Sequence, residues 1–178
     1  MGYYPGSDEL YDVYDEEGGW QGQATRKEVH SDPSLIHRAV HVLIFRSDGH
    51  LLLQKRVAAK DIEPGKWDTS VGGHVDAGED YLTAARRETR EEMGIDSLEL
   101  RHIYDLKYRT EEESEDIRTY MTVYDGEVFP HWFEVEEVRN WSPAEIDEAL
   151  GKNVLTRNFE EEWSAYKKWL EENGGQDR

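Results

Sequence analysis

The 178-residue chain contains no cysteine, which excludes disulfide bonds, thiolate metal sites and a cysteine nucleophile. No apolar run is long enough to cross a membrane, and the first residues do not show the pattern of a secretory signal. We therefore expect a cytoplasmic protein with no membrane partner.

Basic residues are also scarce. The chain carries 21 Lys and Arg against 40 Asp and Glu, a formal net charge of −19 at pH 7. Because nucleic-acid backbones are bound by clustered lysine and arginine, no nucleic-acid partner is expected. The length suits one domain with a substantial core, and we predict a single domain over residues 1–178.

An acidic motif is the most informative feature that is present. The segment 73–79 is followed, after seven residues, by the segment 87–95. Glu88, Glu91 and Glu92 have i, i+3 and i+4 spacing, so they share one face of a helix. Like charges placed this way raise each other's pKa values unless a cation lies among them. Oxygen ligands with positions left open for water and phosphate predict Mg²⁺ or Mn²⁺.

Strand and helix patterns alternate along the chain. Candidate strands cover residues 10–14, 20–25, 40–45, 51–54, 67–71, 98–106 and 119–124. One candidate helix opens at 77–80 and ends near Met93, before Gly94. A second begins at the cap Ser142-Pro143. A third carries Phe159, Trp163, Tyr166 and Leu170 on one face. This interleaving predicts an α/β (α+β) sandwich.

The acidic motif resembles the Nudix box, the signature of the Nudix hydrolases. The matching residues are Gly73, Glu79, Arg87, Glu88, Glu91, Glu92, Gly94 and Ile95. Thr89 departs from the pattern, because an aliphatic residue is expected there. The resemblance implies a mixed sheet held between helices, with a core at about 35–172 and an N-terminal β-hairpin extension at about 8–34.

A second resemblance, from about residue 8 to 170, is to the isopentenyl-diphosphate isomerase branch of this superfamily. Its matching residues are 36–39, 52–56, Lys60, 64–67 and 69–74. Isomerisation is therefore the rival activity. Gly72 stands where the isomerase needs a cysteine, and the stretch near 117–119 lacks the isomerase's pair of glutamates. Glu88 replaces a basic residue of the isomerase, so we predict an isomerase-like Nudix hydrolase.

The resemblance also implies roles for individual residues. Glu88, Glu91 and Glu92 would bind the metal together with a backbone carbonyl of Gly72 or Gly73. Arg87 would orient Glu91, and Glu79 would support the loop and Arg87. A diphosphate would be held by residues matching the isomerase's phosphate contacts, namely Arg26, Arg56 and Lys60.

Three histidines, His30, His37 and His74, match metal ligands of the isomerase. Without the glutamate pair the set is incomplete, so two readings stay open: a residual metal or substrate role, or hydrogen bonding within loops. His41 lies on an apolar strand and is predicted to be a core residue.

The predicted reaction is hydrolysis of a phosphoanhydride in a nucleoside diphosphate linked to another group, X, which the sequence does not identify. Alternatives are isomerase-like activity and a non-catalytic nucleotide-binding module. Candidates for a general base outside the motif are Glu134, Glu136 and Glu137, and candidates for stacking on a base are Trp20, Tyr108 and Trp132. Monomer and homodimer both remain open, because Trp163 and Trp169 suit either a dimer contact or the core.

Overall fold

The computed structural model describes residues 9–60 and 62–173. The elements in this part of the chain are β1 (Leu10–Tyr14), β2 (Trp20–Thr25), α1 (Arg26–Val29), β3 (Ile36–Phe45), β4 (Leu51–Arg56), β5 (Trp67–Asp68), β6 (Val71–His74), α2 (Tyr81–Met93), β7 (Arg101–Arg109), β8 (Ser114–Val123), β9 (Val135–Trp141), α3 (Pro143–Ala149) and α4 (Arg157–Glu172). The strands form one mixed sheet. No helix in the described ranges is long and apolar enough to cross a membrane.

Strand β3 is the centre of the sheet. One edge pairs in parallel with β8 along the whole strand, from Ile36 opposite Ser114 to Phe45 opposite Val123. The other edge pairs antiparallel with β1, then β6, then β4. Because β3 is covered on both faces, its sequence is an almost continuous apolar run and not an alternating one.

The core lies on both faces of the sheet. Val40, Val42 and Ile44 pack on one face with Met93 of α2. The alternate side chains of β3 pack on the other face against α3 and α4, where Phe159 is fully buried. This arrangement confirms the predicted mixed sheet between helices. Trp163 belongs to the second core and Trp169 packs beside it, so neither is a free dimer contact.

Helix α2 begins and ends where the sequence predicts. The carboxylate of Asp80 accepts hydrogen bonds from the backbone N–H groups of Leu82 and Thr83, both at 3.0 Å. Gly94 ends the helix in the left-handed region, with φ of 64°. Thr89, which departs from the Nudix pattern, is buried and donates its hydroxyl hydrogen to the carbonyl of Ala85 at 2.7 Å.

The N-terminal hairpin is also present. Strands β1 and β2 pair antiparallel, and Val13 and Tyr14 pair with the start of β3. A capping box between Thr25 and Glu28 then starts the short helix α1, which the sequence interpretation missed. The start of the predicted extension at residue 8 lies outside the described residues, and the domain limits stay a prediction.

Several strand limits differ from the predictions. The predicted strand 67–71 is divided between β5 and β6, because Ser70 uses its hydroxyl in place of a ladder contact, accepting from the N–H of Ile44 and donating to the carbonyl of Leu52. Strand β7 begins at Arg101 and β8 already begins at Ser114. The predicted start of β8 was wrong because its first residues are polar, and the apolar-run criterion did not detect them.

Candidate active site

The acidic motif places a buried carboxylate, Glu92, and a partly buried one, Glu88, against the glycines of β6. Glu92 is 8% exposed, and its Oε2 accepts hydrogen bonds from the side-chain amide of Gln54 at 2.9 Å and from the N–H of Gly72 at 3.2 Å. Glu88 lies over Gly73, where an added Cβ would be 2.1 Å from its carboxyl carbon. Glycine at position 73 is therefore required for this close approach.

Arg87 connects the carboxylates. Its guanidinium donates to Glu79 at 2.8 Å, to Glu88 at 2.7 Å and to Glu91 at 3.3 Å. It also donates to the backbone carbonyl of His74 at 3.0 Å. A planar guanidinium with several fixed donors holds these oxygens in one arrangement. The contacts expected of Arg87 and Glu79 are present, and their catalytic roles remain predictions.

Arg87 does not supply enough positive charge to offset the burial of the carboxylate cluster. Burial, together with Glu91 and Glu134, raises the pKa of Glu88 to about 7 against the lowering effect of Arg87. Burial, with Glu88 next, raises the pKa of Glu92 to about 8. Neighbouring carboxylates with raised pKa values, largely removed from water, fit a divalent cation with oxygen ligands.

A second cluster contains the three predicted histidines. One ring nitrogen each of His30, His37 and His74 lies within 4.8 Å of the others. The Nε2 atoms of His30 and His74 are 3.3 Å apart. His37 is fully buried, and neither of its ring nitrogens has a hydrogen-bond partner among the described residues. Orphaned buried nitrogens are costly, which favours a ligand at this point.

Two glutamates complete this cluster. Glu115 Oε1 lies 3.3 Å from His74 Nε2 and 3.5 Å from His37 Nε2, and Glu113 Oε2 lies 3.7 Å from His30 Nδ1. The expectation that the histidines lack a glutamate pair is therefore wrong. The error comes from the predicted start of β8, which was placed at residue 119. Glu115 lies two residues before Ile117, and the parallel register of β8 with β3 places it opposite His37.

The charges of the second cluster fit a borderline or transition metal. Burial, with His37 and Arg26 nearby, lowers the pKa of His74 to about 3, so its imidazole is neutral. Burial would raise the pKa of Glu115, but its contacts with His37 and His74 hold that pKa well below its usual value. Neutral imidazole nitrogens with carboxylate oxygens are typical ligands of Zn²⁺, Mn²⁺ and Fe²⁺.

His74 joins the two clusters. Its backbone carbonyl accepts from Arg87 of the carboxylate cluster, while its ring belongs to the histidine cluster. Arg26 Nη1 donates to His74 Nδ1 at 3.2 Å. The sequence separates these groups by up to 85 residues, from His30 to Glu115, yet the sheet brings them into one cleft.

The NUDIX domain family model matches residues 35–166. The chain belongs to the NUDIX family. Among its relatives is the isopentenyl-diphosphate Delta-isomerase of Serratia proteamaculans, 34% identical over 86% of this chain and 84% of the isomerase. An uncharacterised Nudix hydrolase of Yersinia pestis is 40% identical over 49% of this chain. The chain spans about half of that hydrolase, since 47% of it is covered.

Solved structures confirm the Nudix fold. A protein of Deinococcus radiodurans has a TM-score of 0.73 at 23% identity, covering 83% of this chain and 92% of its own. An Ap4A hydrolase of C. elegans has a TM-score of 0.57 at 25% identity, covering 78% of this chain and 98% of its own. Together with the named Nudix hydrolases, these findings support a hydrolase acting on phosphorus-containing anhydrides.

The three residues expected to bind the diphosphate, Arg26, Arg56 and Lys60, are each in contact with acidic or polar neighbours. Lys60 pairs with Glu134 at 2.9 Å, and Arg56 pairs with Asp68 at 3.0 Å. Glu134 interacts electrostatically with both Arg26 and Lys60, which places these two cations around one carboxylate. Arg56 is instead tied to β5, so Arg26 and Lys60 fit phosphate binding better.

The three candidates for a base outside the motif are not equivalent. Glu134 lies close enough to the carboxylate cluster to raise the pKa values of both Glu88 and Glu92. Burial would raise the pKa of Glu134 itself, but Lys60 holds it below its usual value. Glu136 pairs with Lys55 at the surface and Glu137 is exposed. The structure therefore favours Glu134.

The candidate stacking residues also differ. Tyr108 is 6% exposed and packs in a small core, so it is not available for stacking. Trp20 and Trp132 are more than half exposed. Phe133, adjacent to Trp132, is the most exposed of the large apolar residues in the described ranges, at 86%.

His41 is buried, as predicted, but it is not a simple core residue. Its Nδ1 lies 2.5 Å from Glu162 Oε2 of α4. Burial alone would lower the pKa of His41, and the Glu162 carboxylate outweighs burial and raises it. The sequence offers no signal for this pair, because its two members are 121 residues apart.

Proposed function

We propose that this Nudix chain hydrolyses a phosphoanhydride bond of a nucleoside diphosphate linked to another group. Mg²⁺ or Mn²⁺ would be bound by Glu88, Glu91 and Glu92 with a backbone carbonyl of Gly72 or Gly73. The observation that carries this proposal is the pair of neighbouring carboxylates, the partly buried Glu88 and the buried Glu92, whose raised pKa values indicate missing positive charge. When bound, the cation neutralises phosphate charge and lowers the pKa of a water.

The chain's own residues hold the reacting groups in place. Arg87 orients Glu88 and Glu91, while Gln54 and the N–H of Gly72 orient Glu92. Phosphoryl transfer depends on such positioning and on charge stabilisation more than on covalent chemistry.

Groups outside the motif supply the remaining contacts. Arg26 and Lys60 bind phosphate oxygens, with Arg56 as the third candidate. Glu134 accepts the proton of the attacking water, since Lys60 keeps this carboxylate ionised. A nucleoside-linked substrate agrees with the likeness to the Ap4A hydrolase.

The histidine cluster would hold a second, softer divalent cation. Its donor set is His30, His37 and His74 with Glu113 and Glu115. Such an ion would supply further positive charge to the cleft, and the unpartnered nitrogens of His37 support its presence.

The same cluster favours isomerisation of an allylic diphosphate as a second candidate function. The isomerase of Serratia proteamaculans covers most of this chain, and the glutamate pair beside the histidines removes one argument against the activity. Gly72 and the absence of cysteine still argue against it, because no thiol is available to move a proton.

The test is product release from a panel of nucleoside diphosphate sugars, dinucleoside polyphosphates and isopentenyl diphosphate, with Mg²⁺ or Mn²⁺. Wild type is compared with Glu92→Gln, and with Glu99→Gln as a control at an exposed position. We expect hydrolysis of one compound class that needs both the metal and Glu92, unchanged in the control. Isomerised isopentenyl diphosphate without hydrolysis would replace the first function with the second.

A further inference from the structure

His41 is held in the middle of β3 by a carboxylate from the facing helix. Glu162 on α4 is completely buried and accepts from His41 Nδ1 and from the hydroxyls of Tyr104 and Thr119. Both hydroxyls are neutral, so among the described residues only His41 balances the carboxylate's charge. An unbalanced buried carboxylate is very costly, so the ring is an imidazolium with hydrogen on both nitrogens.

The second nitrogen of this ring faces Gly72. A Cβ added at Gly72 would lie 3.7 Å from His41 Nε2 and 3.5 Å from Cδ2. No acceptor for Nε2 is present in the described ranges, and the side chain keeps 7% of its surface exposed. Nε2 has no partner among the described residues and does not belong to the fully buried atoms without one, so it is accessible to solvent. This charged donor is therefore available to a ligand beside Gly72.

Gly72 neighbours both His41 and Glu92. Its φ is not in the left-handed region, so the backbone does not require glycine here. The nearest atom to an added Cβ would be Thr69 Cγ2 at 3.2 Å, so a methyl group fits after a small shift. On its other side, the N–H of Gly72 donates to Glu92. The missing side chain thus leaves the His41 ring next to the backbone of the glycine that binds Glu92.

We propose that His41 is a further substrate-contacting residue, which donates a hydrogen bond from Nε2, through the gap at Gly72, to an oxygen of the bound diphosphate. The inference rests on the proposed function, because it needs a diphosphate at the Glu92 site. A cationic donor and a phosphate oxygen form a charge-assisted hydrogen bond. The competing explanation is that the pair with Glu162 only fastens α4 to the sheet.

Binding of Mg²⁺-imidodiphosphate, measured by calorimetry, separates the two explanations. In His41→Asn the amide keeps a donor for Glu162 but removes Nε2. In Gly72→Ala both His41 and Glu162 stay, and a methyl group fills the gap. Each variant should bind the probe about tenfold more weakly or worse, the scale of a hydrogen bond to a charged group. The double variant should bind no more weakly than the worse single variant, because both remove the same contact.

Two further measurements exclude a merely structural role. Asp147→Asn removes the negative charge that Trp163 Nε1 (2.8 Å) and Lys167 Nζ (2.7 Å) donate to, so it weakens both contacts and loosens α4 at a position outside the proposed site. It should lower Tm and leave probe affinity unchanged. In wild type, the ¹⁵N resonance of His41 Nε2 should shift on adding the probe, and it should not shift in Gly72→Ala.

The outcomes distinguish this inference from the function on which it rests. Wild-type binding that is unchanged in Gly72→Ala and His41→Asn overturns the inference alone. Additive losses in the double variant, or weaker binding in Asp147→Asn that follows its Tm, overturn it as well. Failure of the wild type to bind Mg²⁺-imidodiphosphate overturns both proposals.

Discussion

The two clusters of the cleft are built in opposite ways. The carboxylates of the first come from little more than one helical turn, Glu88 to Glu92, and the spacing of an α-helix alone puts them on one face. The histidine cluster comes from α1, β3, β6 and the start of β8, and only the sheet register unites it. A site carried by one helix is visible in a sequence, whereas a site carried by strand pairing is not.

The clusters also differ in charge. Glu88 and Glu92 have raised pKa values because burial and mutual repulsion are not compensated. Glu115 has a strongly lowered pKa despite burial, because His37 and His74 surround it. The first cluster therefore needs an added cation for both of its charges to persist, and the second already holds its carboxylate ionised. We expect the first to prefer a hard cation and the second a softer one.

The largest expected effect is the loss of hydrolytic activity when a carboxylate of the first cluster is replaced. Glu92→Gln should lower metal-dependent hydrolysis by more than about a hundredfold, the scale seen when one electrostatic group of an active site is lost. It should not unfold the protein, because the amide fits the same contacts with Gln54 and Gly72. Steady-state rates and Tm of the variant check both statements. Activity that falls only in proportion to the unfolded fraction would contradict the assignment.

The next prediction concerns the second cluster alone. His37→Asn should weaken binding of Zn²⁺ or Mn²⁺ by at least about 10- to 100-fold, the loss seen when only a group that supports a metal ligand is removed. The Mg²⁺ requirement of hydrolysis should remain, because the carboxylates of α2 are untouched. Metal content after dialysis and a Mg²⁺ titration of the rate test this. Loss of Mg²⁺ response in the variant would show that the clusters act as one site.

Gly72 and Gly73 differ in the space available for a side chain. Gly73→Ala places a Cβ 2.1 Å from the carboxyl carbon of Glu88, so either the helix or the carboxylate must move. We expect a loss of stability of about 1–3 kcal/mol, typical of overpacking, and weaker Mg²⁺ binding. Gly72→Ala, with its nearest contact at 3.2 Å, should unfold at almost the wild-type denaturant concentration. Equal stability of the two variants would refute the steric argument.

The smallest effect is on pH-dependent stability without metal. The pKa of Glu92 is about 8 when folded, against 4.5 as an ordinary glutamate. Between these values the folded chain keeps a proton that the unfolded chain has lost, so this group's contribution to stability falls as pH rises from about 4.5 to 8. Chelator-treated wild type should therefore lose about 2 kcal/mol relative to Glu92→Gln between pH 6 and pH 8.

Urea unfolding of both proteins at several pH values measures this difference. Added Mg²⁺ should reduce it, since a bound cation favours the ionised carboxylate. A difference that does not vary with pH would mean that Glu92 is ionised throughout, and that some cationic group already compensates it.

The predictions from sequence succeeded where the determining contacts are local. Asp80 and Gly94 mark the ends of α2, and Ser142 caps α3, as the sequence predicts. They failed where a polar side chain has a distant partner. Ser70 interrupts the predicted strand because its hydroxyl is hydrogen-bonded to β3 and β4. Glu115 was overlooked because its partners, His37 and His74, are far away in the chain.

The sequence by itself determined the helix that carries the acidic motif, its caps, the alternation of strands and helices, and the resemblance that placed the chain in the NUDIX family. These follow from spacing within a few residues, where backbone geometry alone relates one side chain to the next. The tertiary structure decided which distant groups meet: Glu115 with His37 and His74, Lys60 with Glu134, and His41 with Glu162. Such contacts depend on strand order and register, because a shift of one residue would turn a strand side chain such as Glu115 to the opposite face of the sheet.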